Sequence, residues 1–315
     1  MDAPIIGLDI GGTRTAVVLG DQRGQIHART EFDTHAKRGF YPVFAEMCAC
    51  ASRLLAESGG GNAAPGAVSV SIGGPLEIDA GIIQSPPNLP GWKAIPLKSL
   101  LAQRFGLPVY VEHDGNAGAL AEWYFGAARG LRNVVFLTMG TGFGGGLILN
   151  GQLYRGTCDL AGEVGHVRIS DTGPLAFGKV GSWEGLCGGA GIAKLAAMRH
   201  PQRWRPDAIT AREIAELARA SDAAALSVLD EVSQHLGRGL AMLIDILNPE
   251  MIVIGSLVVR LGELVLRPAR AVVEREALPE AVKACRLVPA ELGERLGDVA
   301  SLCAAIQALG GPNRS

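Results

Sequence analysis

A lone carboxylate, two glycines and a hydroxyl interrupt the first apolar run of the chain, "IIGLDIGGTRTAVVLGD". Apolar residues on either side read as two strands, and Gly11, Gly12 and Thr13 as the turn between them. A turn with bare backbone lets N–H groups approach an anion, so this one could cradle a phosphate with Asp9 placed for its metal. It also reads as an ordinary hairpin with a glycine turn. The spacing matches neither G-x-G-x-x-G nor G-x-x-x-x-G-K-[ST]. A second turn of the same kind, Gly140-Thr141-Gly142, lies in "NVVFLTMGTGFGGGLILNGQLYRG". Two such turns, one with a carboxylate, favour a polyphosphate ligand over two structural turns.

Other polar residues are ambiguous one at a time. Asp114 in "VEHDGNAGA" falls where a strand passes into a helix, a usual place for reactive groups in open sheets. By position alone it reads first as a helix cap. Glu163 and His166 in "DLAGEVGHVRIS" sit three apart on a glycine-rich loop and could reach one polar ligand. Taken alone, a surface Glu and a satisfied His account for them better. Glu184 in "GSWEGLCGGAG" is equally open. Asn88 in "SPPNLPGW" shares a proline-stiffened loop with Trp92. Apolar bulk beside an amide suits a sugar pocket, or simply a loop.

The elements that must hold these residues alternate between strand and helix. "QIHARTEF" reads as a third strand, and "YPVFAEMCACASRLLAES" as an amphipathic helix stopped at Gly59–Gly61. "AVSVSIGGP" is a buried strand ending on Gly73 and Gly74, and "LPVYVEHDGNAGALAEWYFGAARG" a strand leading into a helix that starts near Gly115 or Asn116. The second hairpin repeats the first at a spacing of roughly 130 residues. Helical pattern runs over 208–247, "PEMIVIGSLV" is a strand with a glycine exit, and "GDVASLCAAIQAL" a closing helix expected to return to the first lobe. The class is α/β with two related lobes.

Composition limits the functions. Of 315 residues, 48% are hydrophobic and 19% charged, enough for a sizeable core. The 29 basic and 31 acidic residues nearly cancel, with no basic block, so neither nucleic acid nor an anionic membrane is an expected partner. No secretory leader or membrane-length apolar run is read, so a cytoplasmic location is expected. The six cysteines lack metal-type spacing and are expected as buried free thiols.

In combination, "DIGGT", "SIGGP", "NLPGW", "EHDGNA", "TMGTGFGGG", "AGEVGH", "WEG", "NPEMIVIG" and "LGDVASLCAA" closely resemble the ROK family of sugar kinases, from about residue 5 to 308. The resemblance implies the two-lobed actin/hexokinase-like (ribonuclease H-like) ATPase fold with its active site in the interlobe cleft. The lobes would be 1–117 with a C-terminal helix at about 297–315, and 118–296. It also implies transfer of the ATP γ-phosphate, with Mg²⁺, to a hexose hydroxyl, and a homodimer. Glucose stands ahead of fructose and N-acetylhexosamines.

Carried over residue by residue, Asp114 matches the catalytic base and Asp9 the residue that organises Mg²⁺ through its waters. Gly11, Gly12 and Thr13 match the first phosphate turn, and Gly140, Thr141 and Gly142 the second. Gly255 matches the start of the adenosine turn. Asn88, Glu163, His166 and Glu184 match sugar ligands, with Gly74 lining the same pocket.

The chain departs from the family pattern in four places. Arg14 replaces a Lys, Ser256 the second Gly of the adenosine turn, and His113 the Asn before the base. His113 is expected to donate to a sugar hydroxyl. The fourth departure concerns the family's structural zinc, held by one His and three Cys. The three thiolate positions here are Leu175, Phe177 and Ser182, and Cys187 is out of frame. No zinc is expected. Leu175 and Phe177 are expected to pack as an apolar plug, leaving His166 to the sugar. The alternative readings are a ROK-type transcriptional regulator, whose DNA-binding helix-turn-helix has no room before Ile5, and a catalytically silent sugar-binding protein, against which the intact Asp114 and both turns argue.

Overall fold

The computed structural model describes residues 3–57 and 64–312. The expected helix stop at Gly59–Gly61 lies outside the described residues. Two compact units emerge, Met1–Phe125 with Glu294–Ser315, and Gly126–Gly293.

The first unit opens with β1 (Ile5–Ile10), β2 (Arg14–Gly20) and β3 (Ile26–Asp33), followed by α1 (Phe40–Glu57) and β4 (Ala67–Ile72). A small sheet of β5 (Leu76–Glu77), β6 (Ile82–Gln84) and β7 (Lys93–Ile95) precedes α2 (Leu97–Phe105), β8 (Val109–His113) and α3 (Asp114–Phe125). The main sheet has the order β3-β2-β1-β4-β8. Its hairpin strands are antiparallel, while β1–β4 and β4–β8 are parallel. Both faces of β1 are covered, so it reads as a continuous apolar run. Ile6, Leu8 and Ile10 pack with Phe40, Val43 and Met47 of α1, and Ile5 with Leu302 and Ile306 of the last helix.

The second unit repeats that topology. It contains β9 (Val134–Met139), β10 (Phe143–Leu149), β11 (Gln152–Tyr154), β12 (Leu175–Ala176) and β13 (Lys179–Val180). Helices α4 (Trp183–Cys187), α5 (Gly189–Arg199), α6 (Ala211–Arg219) and α7 (Ala223–Leu247) follow. Then come β14 (Met251–Ile254), α8 (Leu257–Leu261), α9 (Glu263–Glu276), α10 (Pro279–Ala284) and β15 (Arg286–Pro289). The sheet order is β11-β10-β9-β14-β15, with the same alternation of antiparallel hairpin and parallel partners. Its core gathers β9, α4, α7 and α9 around Trp183. Gly237 and Gly239 admit close packing on α7: a Cβ at Gly237 would lie 2.6 Å from the Ala269 carbonyl, and one at Gly239 would strike the Trp183 indole.

The chain ends with α11 (Leu296–Ala308), which lies on β1, β4 and α3 within the first unit. The first unit includes α3 up to Phe125, which packs on α11 and on β4. The returning segment of the first unit starts at Glu294. Among the described residues no helix is long and apolar enough to cross a membrane. The six cysteines are free, but Cys158 is exposed and Cys285 only half-buried, against the expectation of burial throughout.

Candidate functional site

In the first unit, chain reversals at the strand ends gather the expected residues. Asp9 pairs with Ala16 across the hairpin and with Ser71 across the parallel edge. The buried Ser71 hydroxyl hydrogen-bonds its carboxylate. Gly297 at the start of α11 is bare where Asp9 Oδ2 lies, and a Cβ there would be 2.6 Å away. Loss of water around Asp9, followed by repulsion from Asp114, pushes its pKa up to about 7; the Ser71 bond and Arg29 oppose this and Asp298 adds to it. A carboxylate held at such cost beside another carboxylate is an oxygen donor suited to a hard divalent cation.

The first glycine turn is closed by the Gly11 N–H donating to the Arg14 carbonyl at 3.0 Å. Thr34, fully buried, ties it from outside: its hydroxyl donates to the Gly11 carbonyl at 2.7 Å, and its N–H to the Thr13 carbonyl at 2.8 Å. Asn88 is brought against this turn, since a Cβ at Gly12 would lie 2.5 Å from the Asn88 carbonyl. Leu89 and Trp92 anchor the Asn88 loop. Trp92 is fully buried, edge-on to Phe40 at 4.9 Å, so it supports the loop and does not line a pocket. Arg14 is exposed and pairs with Glu31 at 3.4 Å.

Helix α3 begins on Asp114 itself, one or two residues before the start near Gly115 or Asn116 read from the sequence. Asp114 Oδ1 accepts the Gly115 N–H at 2.7 Å and lies 3.1 Å from His113 Nδ1. The surrounding protein raises the Asp114 pKa by excluding water, but the His113 and Gly115 interactions prevail and hold it below the usual carboxylate value. His113 Nε2 accepts the Gly74 N–H at 3.0 Å. Both ring nitrogens thus have partners inside the protein. Gly74 serves this contact too, since a Cβ there would collide with the imidazole.

In the second unit, Gly140, Thr141 and Gly142 form the turn between β9 and β10. The first amides of α5 grip it: Gly189 N–H donates to the Gly140 carbonyl at 2.8 Å and Ala190 N–H to that of Thr141 at 3.1 Å. Trp183, buried against Phe143 at 4.7 Å, directs its neighbour Glu184 to the same turn. Glu184 Oε2 accepts the Phe143 N–H at 2.9 Å. Burial raises the Glu184 pKa; the Phe143 bond and then His166 oppose the rise, while Glu163 adds to it. The structure therefore groups Glu163, His166 and Glu184 around one region, as a single polar ligand would require. Gly255 donates to the Leu137 carbonyl at 2.8 Å, and the hydroxyl of Ser256 lies 3.3 Å from that of Thr138. Ser256 takes φ 56, the left-handed region that favours glycine.

The zinc-loop equivalent forms the β12–β13 hairpin. Ser182 caps α4, its hydroxyl accepting the Gly185 N–H at 3.2 Å. The apolar plug is not formed. Leu175 is 60% exposed and Phe177 41% exposed. Phe177 instead stacks on the His166 ring, with centroids 3.7 Å apart and planes at 19°. Among the described residues no group of three or more His, Cys, Asp or Glu is placed to hold a metal ion.

Sequence reasoning missed Thr34, Ser71 and Gly297, each of which acts on a site residue distant in the chain. Ser71 and Gly297 lie inside the motifs SIGGP and LGDVASLCAA, but neither motif says which residue they touch, and Thr34 carries no local signal.

The ROK family model matches residues 5–306. The glucokinase of Halalkalibacterium halodurans is 33% identical over 305 residues, covering 93% of this chain and 92% of that one. A crystal structure of a ROK family glucokinase from Streptomyces griseus in complex with glucose and AMPPNP superposes with TM-score 0.82 at 31% identity, covering 98% of this chain and 100% of that one. The xylose repressor of Caldicellulosiruptor bescii is 32% identical over 219 residues, 67% of this chain but 55% of that one. The chain belongs to the ROK family and has the actin/hexokinase-like ATPase fold of its ATP-dependent sugar kinases.

Proposed function

We propose that the protein transfers the γ-phosphate of ATP to a hydroxyl of a hexose, with glucose favoured. The observation that carries this reading is a carboxylate at the head of α3, held ionised by hydrogen bonds, on the same unit as a bare glycine turn and the loop of Asn88. In the proposed reaction the sugar hydroxyl gives its proton to Asp114 as its oxygen bonds to the γ-phosphorus. The bond to the β,γ-bridging oxygen breaks, and ADP leaves. Phosphoryl transfer asks chiefly for positioning and charge neutralisation. The turns at Gly11–Thr13 and Gly140–Gly142 supply N–H groups to the phosphates, and Gly255 opens the adenosine contact. Asn88, Glu163, His166 and Glu184 orient the sugar.

Asp9 would hold Mg²⁺ through its waters; when bound, the ion neutralises phosphate charge. Burial and then repulsion from Asp114 oppose the ionised form of Asp9, and a bound cation would offset both. A homodimer is the proposed assembly, measured by sedimentation. The regulator reading is separated by turnover, since a sugar sensor can use the same carboxylates to bind the sugar without transferring phosphate.

Coupled measurement of ADP formation across glucose, fructose, mannose and N-acetylhexosamines tests the reading. Sugar-dependent turnover, highest on glucose, is expected. Absence of turnover on every hexose, with sugar binding intact, would leave a binding protein in its place.

A further inference from the structure

His113 lies between two fixed partners. The Gly74 N–H points at Nε2 from 3.0 Å, and an amide can only donate, so Nε2 must carry a lone pair. The proton of the neutral ring is then on Nδ1, which faces Asp114 Oδ1 at 3.1 Å. That oxygen also accepts the Gly115 N–H at 2.7 Å. Oδ2 has no protein hydrogen-bond donor among the described residues and faces bare Gly73, where a Cβ would lie 3.6 Å away. The imidazole is only 17% exposed and cannot swing out without breaking both bonds.

We propose that His113 is a positioning residue, locked as its Nδ1–H tautomer by Gly74. It saturates one oxygen of Asp114 and leaves Oδ2 as the oxygen that takes the substrate proton. The inference rests on the reading of Asp114 as the base. Its consequence is a kcat effect shared by all sugars, in place of a change in sugar preference. One backbone amide, through one ring, selects which lone pair of the base faces the substrate.

Two amide side chains separate the two bonds. In His113→Asn the amide nitrogen can occupy the place of Nδ1 and still donate to Asp114, but Gly74 loses its acceptor. In His113→Gln the amide oxygen can occupy the place of Nε2 and still accept from Gly74, but Asp114 loses its donor. His113→Asn is expected to keep most of the turnover. His113→Gln should lower kcat by about 10- to 100-fold on every sugar accepted, with sugar KM little changed, the scale of a misplaced reacting group.

Long-range ¹H–¹⁵N correlation of the imidazoles provides a readout independent of activity. The signal that disappears in His113→Gln should show a protonated Nδ1 and an unprotonated Nε2. Sugar binding by calorimetry and thermal unfolding confirm that both variants fold. Full kcat in His113→Gln, equal losses in the two variants, or a proton on Nε2 would overturn the proposal. Asp114→Asn identifies the cause of a failure: if that variant keeps turnover, the base reading falls and this inference with it; if it loses turnover while His113→Gln does not, only this inference falls.

Discussion

At the residue scale, the two aspartates of the first unit have opposite environments. Asp114 is hydrogen-bonded into its ionised form, whereas Asp9 is desolvated and repelled out of it. Asp114→Asn is expected to leave folding and sugar binding intact and to lower kcat by about 10²–10⁴-fold, the usual loss for a general base. Steady-state kinetics alongside calorimetric sugar binding measures this, and a variant with near-wild-type kcat would remove Asp114 from the chemistry. Asp9 makes the opposite kind of prediction, one about stability. Its folded pKa of about 7 exceeds the unfolded value of 3.8, so the folded state binds the extra proton between these values. The cost of ionised Asp9 therefore grows as pH rises from about 4 to 7 and is fully present above 7. Asp9→Asn removes it. The Tm of the metal-free protein should rise by about 3–6 °C at pH 8 and converge on wild type near pH 4. Differential scanning fluorimetry across that range decides it; an equal shift at all pH values would assign the gain to packing.

At the element scale, the β12–β13 hairpin sets local strain against function. Its two-residue turn is Phe177-Gly178, with φ 51 and 71, as a type I′ turn requires. Asn-Gly suits such a turn and a bulky aromatic does not. Phe177 keeps the position while stacking on His166. Phe177→Asn should therefore hold or raise Tm. If the stack orients His166 for the sugar, the same variant should raise sugar KM by about three- to tenfold, the cost of ordering a freed side chain. ATP KM should stay constant. A variant with unchanged sugar KM would make the stack decorative.

At the scale of the whole molecule, the C-terminal helix completes the first unit's sheet. Ile5, Val18 and Ala67 find their cover in Leu302, Ala305 and Ile306. Gly7 lies under that helix, where a Cβ would collide with the Ser301 hydroxyl and press on Val18 and Leu302. Gly7→Ala is expected to lower stability by about 1–3 kcal/mol through overpacking. Urea unfolding measures it, and Ser301→Ala in the same chain should recover part of the loss. An undiminished stability would mean that α11 shifts at no cost.

The sequence by itself determined the class and the repeated glycine hairpins, and it nominated the residues whose types could do chemistry. Strand periodicity, turn glycines and residue type are local properties, and the family resemblance rests on the same short motifs. Only the tertiary structure decided what those residues touch. His113 reads as a ligand beside a catalytic aspartate until Gly74, far away in the chain, approaches its other nitrogen. Trp92 reads equally as pocket lining or as part of a plain loop until Phe40 covers it. Leu175 and Phe177 read as a buried substitute for metal ligands, yet both stay exposed and Phe177 stacks on the His166 ring. The ionisation of Asp9 depends on Asp114, Ser71, Asp298 and Arg29, all on other elements. Hydrogen-bond partners and charge neighbours are set by which distant segments pack together, and no window of sequence contains that information.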